Sequence, residues 1–244
     1  MTTRRDDEQR RAELVRALGL VRARIADACE KAGRDPRSLT LVAVTKTFPA
    51  SDVAILTRIG VTDVGENRDQ EAAEKVRATA ALLGDTPAPR WHFVGQLQTR
   101  KVRSVASYAG VVHSVDRAAL ADRLSAAVAA AGRPPVEVFV QLSLDGDPAR
   151  GGVVAERVPE IAGAVAAHAN LRLRGVMVVL PVGLDADEGF ARTAEVAADL
   201  RSRYPEADAI SAGMSADLEA AVRHGSTHVR VGTALLGRRE QVFS

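Results

Sequence analysis

The chain has one cysteine, Cys29, in 244 residues. That excludes an intrachain disulfide and any metal site built from several thiolates. Its neighbours Ile25-Ala26-Asp27-Ala28 have helical spacing, so Cys29 reads as a small core residue. Aromatic residues make up 3% of the chain, too few for the stacking platforms that hold single-stranded nucleic acid. No run reaches the ~18 apolar residues that a membrane span needs, and the charged N-terminus lacks an apolar signal segment. Neither charge sign dominates, with 33 lysines and arginines against 31 aspartates and glutamates. There is no Pro/Ser-rich linker, low-complexity tract or break in composition. The expectation is one cytoplasmic domain over 1–244, with residues 1–35 as a helix packed on it, and neither nucleic acid nor membrane as partner.

What the chain does have is a regular alternation. Hydrophobic residues at 46% and charged residues at 26% suffice for a sizeable core. Mixed charge runs such as Arg4-Arg5-Asp6-Asp7-Glu8 and Arg238-Arg239-Glu240 read as solvated faces. From about Asp7 to Lys31, the positions Leu14, Leu18, Val21, Ile25 and Ala28 repeat at helical steps, and Gly33 supplies the stop. Beyond it, β-branched runs predict strands over 40–45, 62–64, 91–94, 110–113, 136–142, 172–178, 207–210 and 228–231. Helices are predicted over 51–59, 68–83, 97–106, 117–131, 153–167, 187–203 and 216–224, with a last short one after Thr233. This alternation argues for parallel strands joined by crossover helices. Eight such units in about 200 residues match an α/β fold of the (β/α)8 TIM barrel type, with an extra N-terminal helix. An open doubly wound sheet is the alternative, because periodicity does not reveal closure.

In such barrels, function gathers at the residues just after each strand. Strand one ends in Lys46, followed by Thr47-Phe48-Pro49. An amine held partly desolvated there has a lowered pKa and attacks aldehydes; a lysine snorkelling to water is the bland alternative. Strand two ends in Gly65-Glu66-Asn67, where Glu66 orients neighbours or is a solvated loop residue. His92 and His113 read as satisfied structural histidines. Met177 lies at the end of strand six. Ser211-Ala212-Gly213-Met214-Ser215 follows strand seven, and Arg230-Val231-Gly232-Thr233 closes strand eight. Ser215 is placed to cap a helix from Ala216, Gly213 allows close approach, and Gly232-Thr233 adds a second turn and hydroxyl. Together these make an anion site, or else ordinary turn chemistry, which Asp217 and Glu219 in the first helical turn favour. A lysine amine, a phosphate cradle and no dinucleotide fingerprint point to pyridoxal 5′-phosphate (PLP). Its phosphate would sit between strands seven and eight, and its aldehyde would reach Lys46 across the mouth.

The segments Ala43–Pro49, Gly65-Glu66-Asn67, Trp91–Gln98 and Ser211–Thr233 resemble the YggS/PROSC-type PLP homeostasis family, in order and spacing over nearly the whole chain. The resemblance implies the alanine-racemase-like barrel of fold-type III PLP proteins, with the cofactor held as an imine (Schiff base) of Lys46. It implies that Ser211, Met214, Ser215, Arg230, Gly232 and Thr233 surround the phosphate beside Gly213, with Asn67 and Met177 near the ring. Arg230 is then a phosphate or ring partner, with an outward arginine at a strand end as the alternative. The implied role is PLP buffering and delivery to PLP-dependent apo-enzymes by a non-catalytic monomer. Two departures stand out. Arg150 occupies a loop where members commonly carry lysine, and Gln98-Thr99-Arg100-Lys101 replaces Gln-Ser-Asn-Lys. Lys101 is kept, as a second acceptor amine or a solvated helix lysine.

Two rival functions remain. A fold-type III racemase or decarboxylase shares the barrel, but a racemase needs a second base, usually a tyrosine supplied with an added β-domain. Tyr108 and Tyr204 both fall between a helix and the next strand, at the end opposite Lys46, and the chain stops after its eighth unit. A phosphosugar or nucleotide enzyme would instead use Lys46, Glu66 and Asp116 as acid–base groups.

Overall fold

Eight short parallel strands pair in chain order, and the last pairs with the first, closing a barrel. The computed structural model describes residues 4–237, so Arg238-Arg239-Glu240 lies outside the described residues. The strands are β1 (Thr40–Val44), β2 (Asp63–Glu66), β3 (Arg90–Phe93), β4 (Val111–Val115), β5 (Val136–Leu142), β6 (Leu171–Val178), β7 (Ala209–Ser211) and β8 (His228–Val231). Around them lie α1 (Arg4–Lys31), α2 (Ala50–Arg58), α3 (Asp69–Leu83), α4 (Val102–Tyr108), α5 (Ala118–Ala130), α6 (Val158–Ala166), α7 (Ala186–Arg203), α8 (Leu218–Arg223) and α9 (Thr233–Leu236). Closure removes the open-sheet alternative.

Three helices begin later than their periodicity predicts, each for a local reason. Before α4, Gln98 is extended and a 3-10 turn over Thr99–Lys101 follows it. Before α6, Val153 bridges Leu142 in parallel, so it is committed to the sheet. Before α8, the Asp217 carboxylate accepts the Met214 N–H and folds 214–217 into a turn.

Apolar side chains fill the layer between sheet and helices. Inside the barrel, Val111, Phe139, Met177 and Ala209 form a small cluster. The His113 ring stacks on Phe139 at 4.7 Å and the His228 ring meets it edge-on at 5.1 Å. Branched aliphatics usually fill such interiors, so buried imidazoles are a specific feature of this one.

The seam between β1 and β8 pairs Val42 with Arg230 and Ala43 with Val231. Helix α1 packs against α2, α8 and α9, the helices flanking that seam, with Leu14, Leu18, Val21, Ile25 and Cys29 buried. Polar bonds reinforce the packing. Arg10 donates to Asp52 Oδ2 of α2 at 2.7 Å and to the Leu236 carbonyl of α9 at 3.1 Å. Arg24 donates to the Ser215 carbonyl at 2.6 Å and to Glu219 of α8. Gly33 ends the helix at φ +65°, the left-handed conformation a helix stop favours. No helix among the described residues is long and apolar enough to cross a membrane.

Candidate functional site

Lys46 stands two residues beyond β1, at the carboxyl mouth of the barrel. It is exposed, so the partial desolvation expected from sequence is not there. The chain leaves the sheet at Thr45 and turns outward through Thr47, whose φ of +68° is the one positive value at a non-glycine among the described residues. Its neighbours are pinned on both sides. Thr45 Oγ1 donates to Glu66 Oε1 at 2.6 Å, Lys75 Nζ donates to the Thr45 carbonyl at 2.8 Å, and the Thr47 N–H donates to Glu71. The result is an exposed amine, without a partner among the described residues, on a fixed backbone.

Glu66 is fully buried, which corrects the solvated reading and leaves the orienting one. Burial pushes its carboxyl up, opposed by the bonds from Lys75 and Thr45. Lys75 escaped the sequence reading because it looks like one more helix charge. The available signal was its spacing: it shares the α3 face of Ala72 and Thr79, where a buried lysine requires a partner.

The second half of the site is built where β7 and β8 end. Gly213 has φ +91°, and a Cβ there would lie 2.6 Å from Ala221 Cβ, so only glycine fits. Because α8 starts at Leu218, Ser215 does not cap it; Asp217 takes the N-cap position instead. Ser215 is held through its carbonyl by Arg24, a contact that sequence reading did not find. The Ser215 and Ala216 N–H groups have no partner among the described residues. In α9, the first N–H groups, of Thr233 and Ala234, have no intrahelical acceptor. A Cβ on Gly232 would stand 3.3 Å from the Val44 carbonyl, so this turn leans directly on the end of β1. Lys46 and Gly232-Thr233 therefore lie at neighbouring strand ends, beside each other rather than across the mouth.

Arg230 is 5% exposed, and among the described residues no carboxylate touches it. It donates to the Ser211 carbonyl at 2.8 Å, to Ser211 Oγ at 2.6 Å and to the Val178 carbonyl at 2.7 Å. Burial brings its guanidinium down to about 10, against the pull of Asp217, so it remains a cation at neutral pH. Ser211 is fully buried beside it, while Met214 is exposed on the rim. Met177 is buried in the interior cluster rather than open at the mouth. Asn67 is half-buried at the start of the β2–α3 turn, and Gly95 packs so closely on its carbonyl that a Cβ would stand 2.1 Å away.

The remaining candidates sit as follows. His92 and His113 are buried and hydrogen-bonded. Lys101 is half-buried in its 3-10 turn with Nζ 3.5 Å from Asp69, which corrects the solvated helix lysine. Arg150 donates to the Val179 carbonyl at 2.8 Å, tying the loop after β5 to the end of β6. Tyr108 ends α4 and Tyr204 follows α7, both on the helix-to-strand side.

Among the described residues, a primary amine without a partner, a set of unpartnered N–H groups and a buried cation bonded only to neutral oxygens suit a ligand with an aldehyde and a phosphate. Residues 18–240 match the family described as alanine racemase, N-terminal domain. The pyridoxal phosphate homeostasis protein of Mycobacterium leprae (strain TN) is 45% identical over 240 residues, covering 93% of each chain. PipY of Synechococcus elongatus PCC7942, solved with PLP bound, has a TM-score of 0.75 at 31% identity, over 92% of this chain and 100% of PipY. Alanine racemase from Corynebacterium glutamicum has a TM-score of 0.63 at 14% identity, over 94% of this chain and 62% of the racemase, and at that identity it carries the fold alone. The strong matches favour homeostasis over the racemase or decarboxylase reading. With its closed parallel barrel and these matches over most of its length, the chain belongs to the pyridoxal phosphate homeostasis family, within the alanine racemase N-terminal domain group.

Proposed function

We propose that this protein binds PLP reversibly through Lys46 and serves PLP homeostasis by buffering the cofactor and delivering it to PLP-dependent apo-enzymes. One observation carries the reading: an exposed amine at the end of β1 stands next to the β8 turn, where backbone N–H groups have no partner among the described residues. PLP supplies an aldehyde that condenses with a primary amine, and a phosphate dianion. Lys46 provides the amine. The Ser215, Ala216, Thr233 and Ala234 N–H groups, with the Ser215 and Thr233 hydroxyls, bind the phosphate at the two turns. Gly213 and Gly232 let the backbone approach it, and Met214 flanks it on the rim. Asn67 lies on the ring side, and Met177 supports that side from below. Arg230, fixed by Ser211, directs its positive charge at the ring or the phosphate.

The exposure of Lys46 favours carrying over catalysis. A cargo that must leave needs water or an acceptor amine to reach its point of attachment, which a sealed enzyme pocket prevents. The carrier works as a single-domain monomer in the cytoplasm, with α1 packed on the barrel. Incubation with PLP followed by absorbance, borohydride reduction and peptide mass spectrometry tests the reading. A visible band and a reduced adduct on Lys46 are expected. Protein that shows neither would overturn it.

A further inference from the structure

An unbroken line of hydrogen bonds runs through the barrel, from Arg230 near the mouth to Asp63, the first residue of β2, at the opposite end. Arg230 Nη1 donates to Ser211 Oγ at 2.6 Å, and Ser211 Oγ lies 2.9 Å from His113 Nδ1. His113 Nε2 lies 2.8 Å from His92 Nδ1, and His92 Nε2 lies 2.8 Å from Asp63 Oδ1. Ser211, His113 and His92 are all fully buried. His228, the third interior imidazole, stands outside the line and bonds Thr227 Oγ1 at 2.8 Å.

Donor counting gives the line a single direction. A guanidinium only donates and a carboxylate only accepts. With both rings neutral, His92 must give its Nε2–H to Asp63 and accept at Nδ1. His113 must then donate from Nε2 and accept at Nδ1. The Ser211 hydroxyl must donate to His113, which leaves its lone pairs facing Arg230. Burial lowers the pKa of both imidazoles, consistent with neutral rings. Asp63 is the one carboxylate in the line, and it sets the sense of every bond up to the cation.

We propose that Asp63 is a positioning residue for the PLP site, acting through His92, His113 and Ser211 to fix the Arg230 guanidinium from the far end of the barrel. This rests on the role given to Arg230 in the proposed function. Without an acceptor at position 63, His92 has no reason to keep its proton on Nε2. The rings can then exchange tautomers, the Ser211 hydroxyl can turn, and Arg230 is left with two of its three acceptors, the Ser211 and Val178 carbonyls.

The test has a readout that needs no cofactor. In apo-protein labelled with 15N-histidine, NMR should show both His92 and His113 as neutral Nε2–H tautomers. Asp63→Leu should change the tautomer of His113, which residue 63 does not touch. In PLP titrations, Asp63→Leu and His113→Phe should each weaken affinity on the order of ten-fold, the loss of about one buried hydrogen bond. The double variant should be no worse than His113→Phe alone, because both cut one chain. Asp63→Asn, whose amide oxygen still accepts from His92, should restore the affinity. Should Asp63→Leu fail to fold, His92→Phe cuts the line one bond further on and is read the same way. An unchanged His113 tautomer, or additive losses in the double variant, would overturn the proposal. A wild-type protein that binds no PLP would instead sink the cofactor reading, while the tautomers still judge the line.

Discussion

Lys75 Nζ donates to Glu66 Oε1 at 2.7 Å, with the two side chains 4% and 0% exposed, directly behind the backbone that carries Lys46. Removing one member of such a pair leaves the other charge buried alone. Lys75→Met should therefore cost roughly 3–5 kcal/mol in urea unfolding, and the double variant Glu66→Leu/Lys75→Met should regain most of it. A single variant as stable as wild type would mean that water reaches the pair.

Lys46→Ala should abolish the borohydride-trappable adduct while leaving the fold intact, since an exposed side chain adds little to the core. Non-covalent binding through the phosphate turns should remain measurable by equilibrium dialysis. An undiminished adduct mapping to Lys101 would show that the wrong amine had been chosen.

Gly213→Ala should weaken PLP binding by about ten-fold or more, because the left-handed backbone and the Ala221 contact both resist a Cβ. Gly84→Ala is the control: its φ is +59° but nothing lies within 4 Å of a Cβ there. It should leave affinity unchanged while costing a little stability. Equal affinities for the two variants would remove the β7 turn from the site.

Acid should loosen the barrel well before carboxylates titrate. Burial lowers the pKa of His92, His113 and His228, the last to about 3. The unfolded chain thus binds more protons than the native one below about pH 6.5, so stability falls as pH falls from there. His228, held neutral throughout, removes about 1.4 kcal/mol between pH 7.5 and 5.5, and His92 and His113 add in the same direction. Urea midpoints at the two values measure this, and His228→Phe should flatten the slope by one histidine. A flat profile would mean that the imidazoles take up protons in the native state as readily as in the unfolded chain.

Much of the barrel is legible because strands buried on both faces read as continuous apolar runs: β5 and β8 fall where they were predicted, and the other strands shift by only one or two residues. Lys46 is visible for the same reason, as the polar residue that ends such a run. The turn before α8 is not, because the Asp217 side chain, not helix periodicity, decides where that helix begins. Arg24 and Lys75 are illegible alone, since an arginine or lysine on a helix gains meaning only from what the fold brings to it. The histidines could be placed inside the strands, but their bonding order depends on partners from four different strands and no local pattern carries it.

The seam beneath α1 joins the two ends of the sheet, β1 and β8, which lie far apart along the chain. Closing so long a loop is entropically expensive, and contacts of this span form late in folding. Lys46 stands on one lip of that seam and Thr233 on the other. Cargo held by both would act as a rivet across the closure, and by linkage it would bind the closed ring better than the loosened one. Letting go of the cargo and easing the ring would then be one equilibrium, with the empty carrier the softer of the two forms. Helix α1, latched by Arg10 and Arg24 to both sides, would set how far that softening can go.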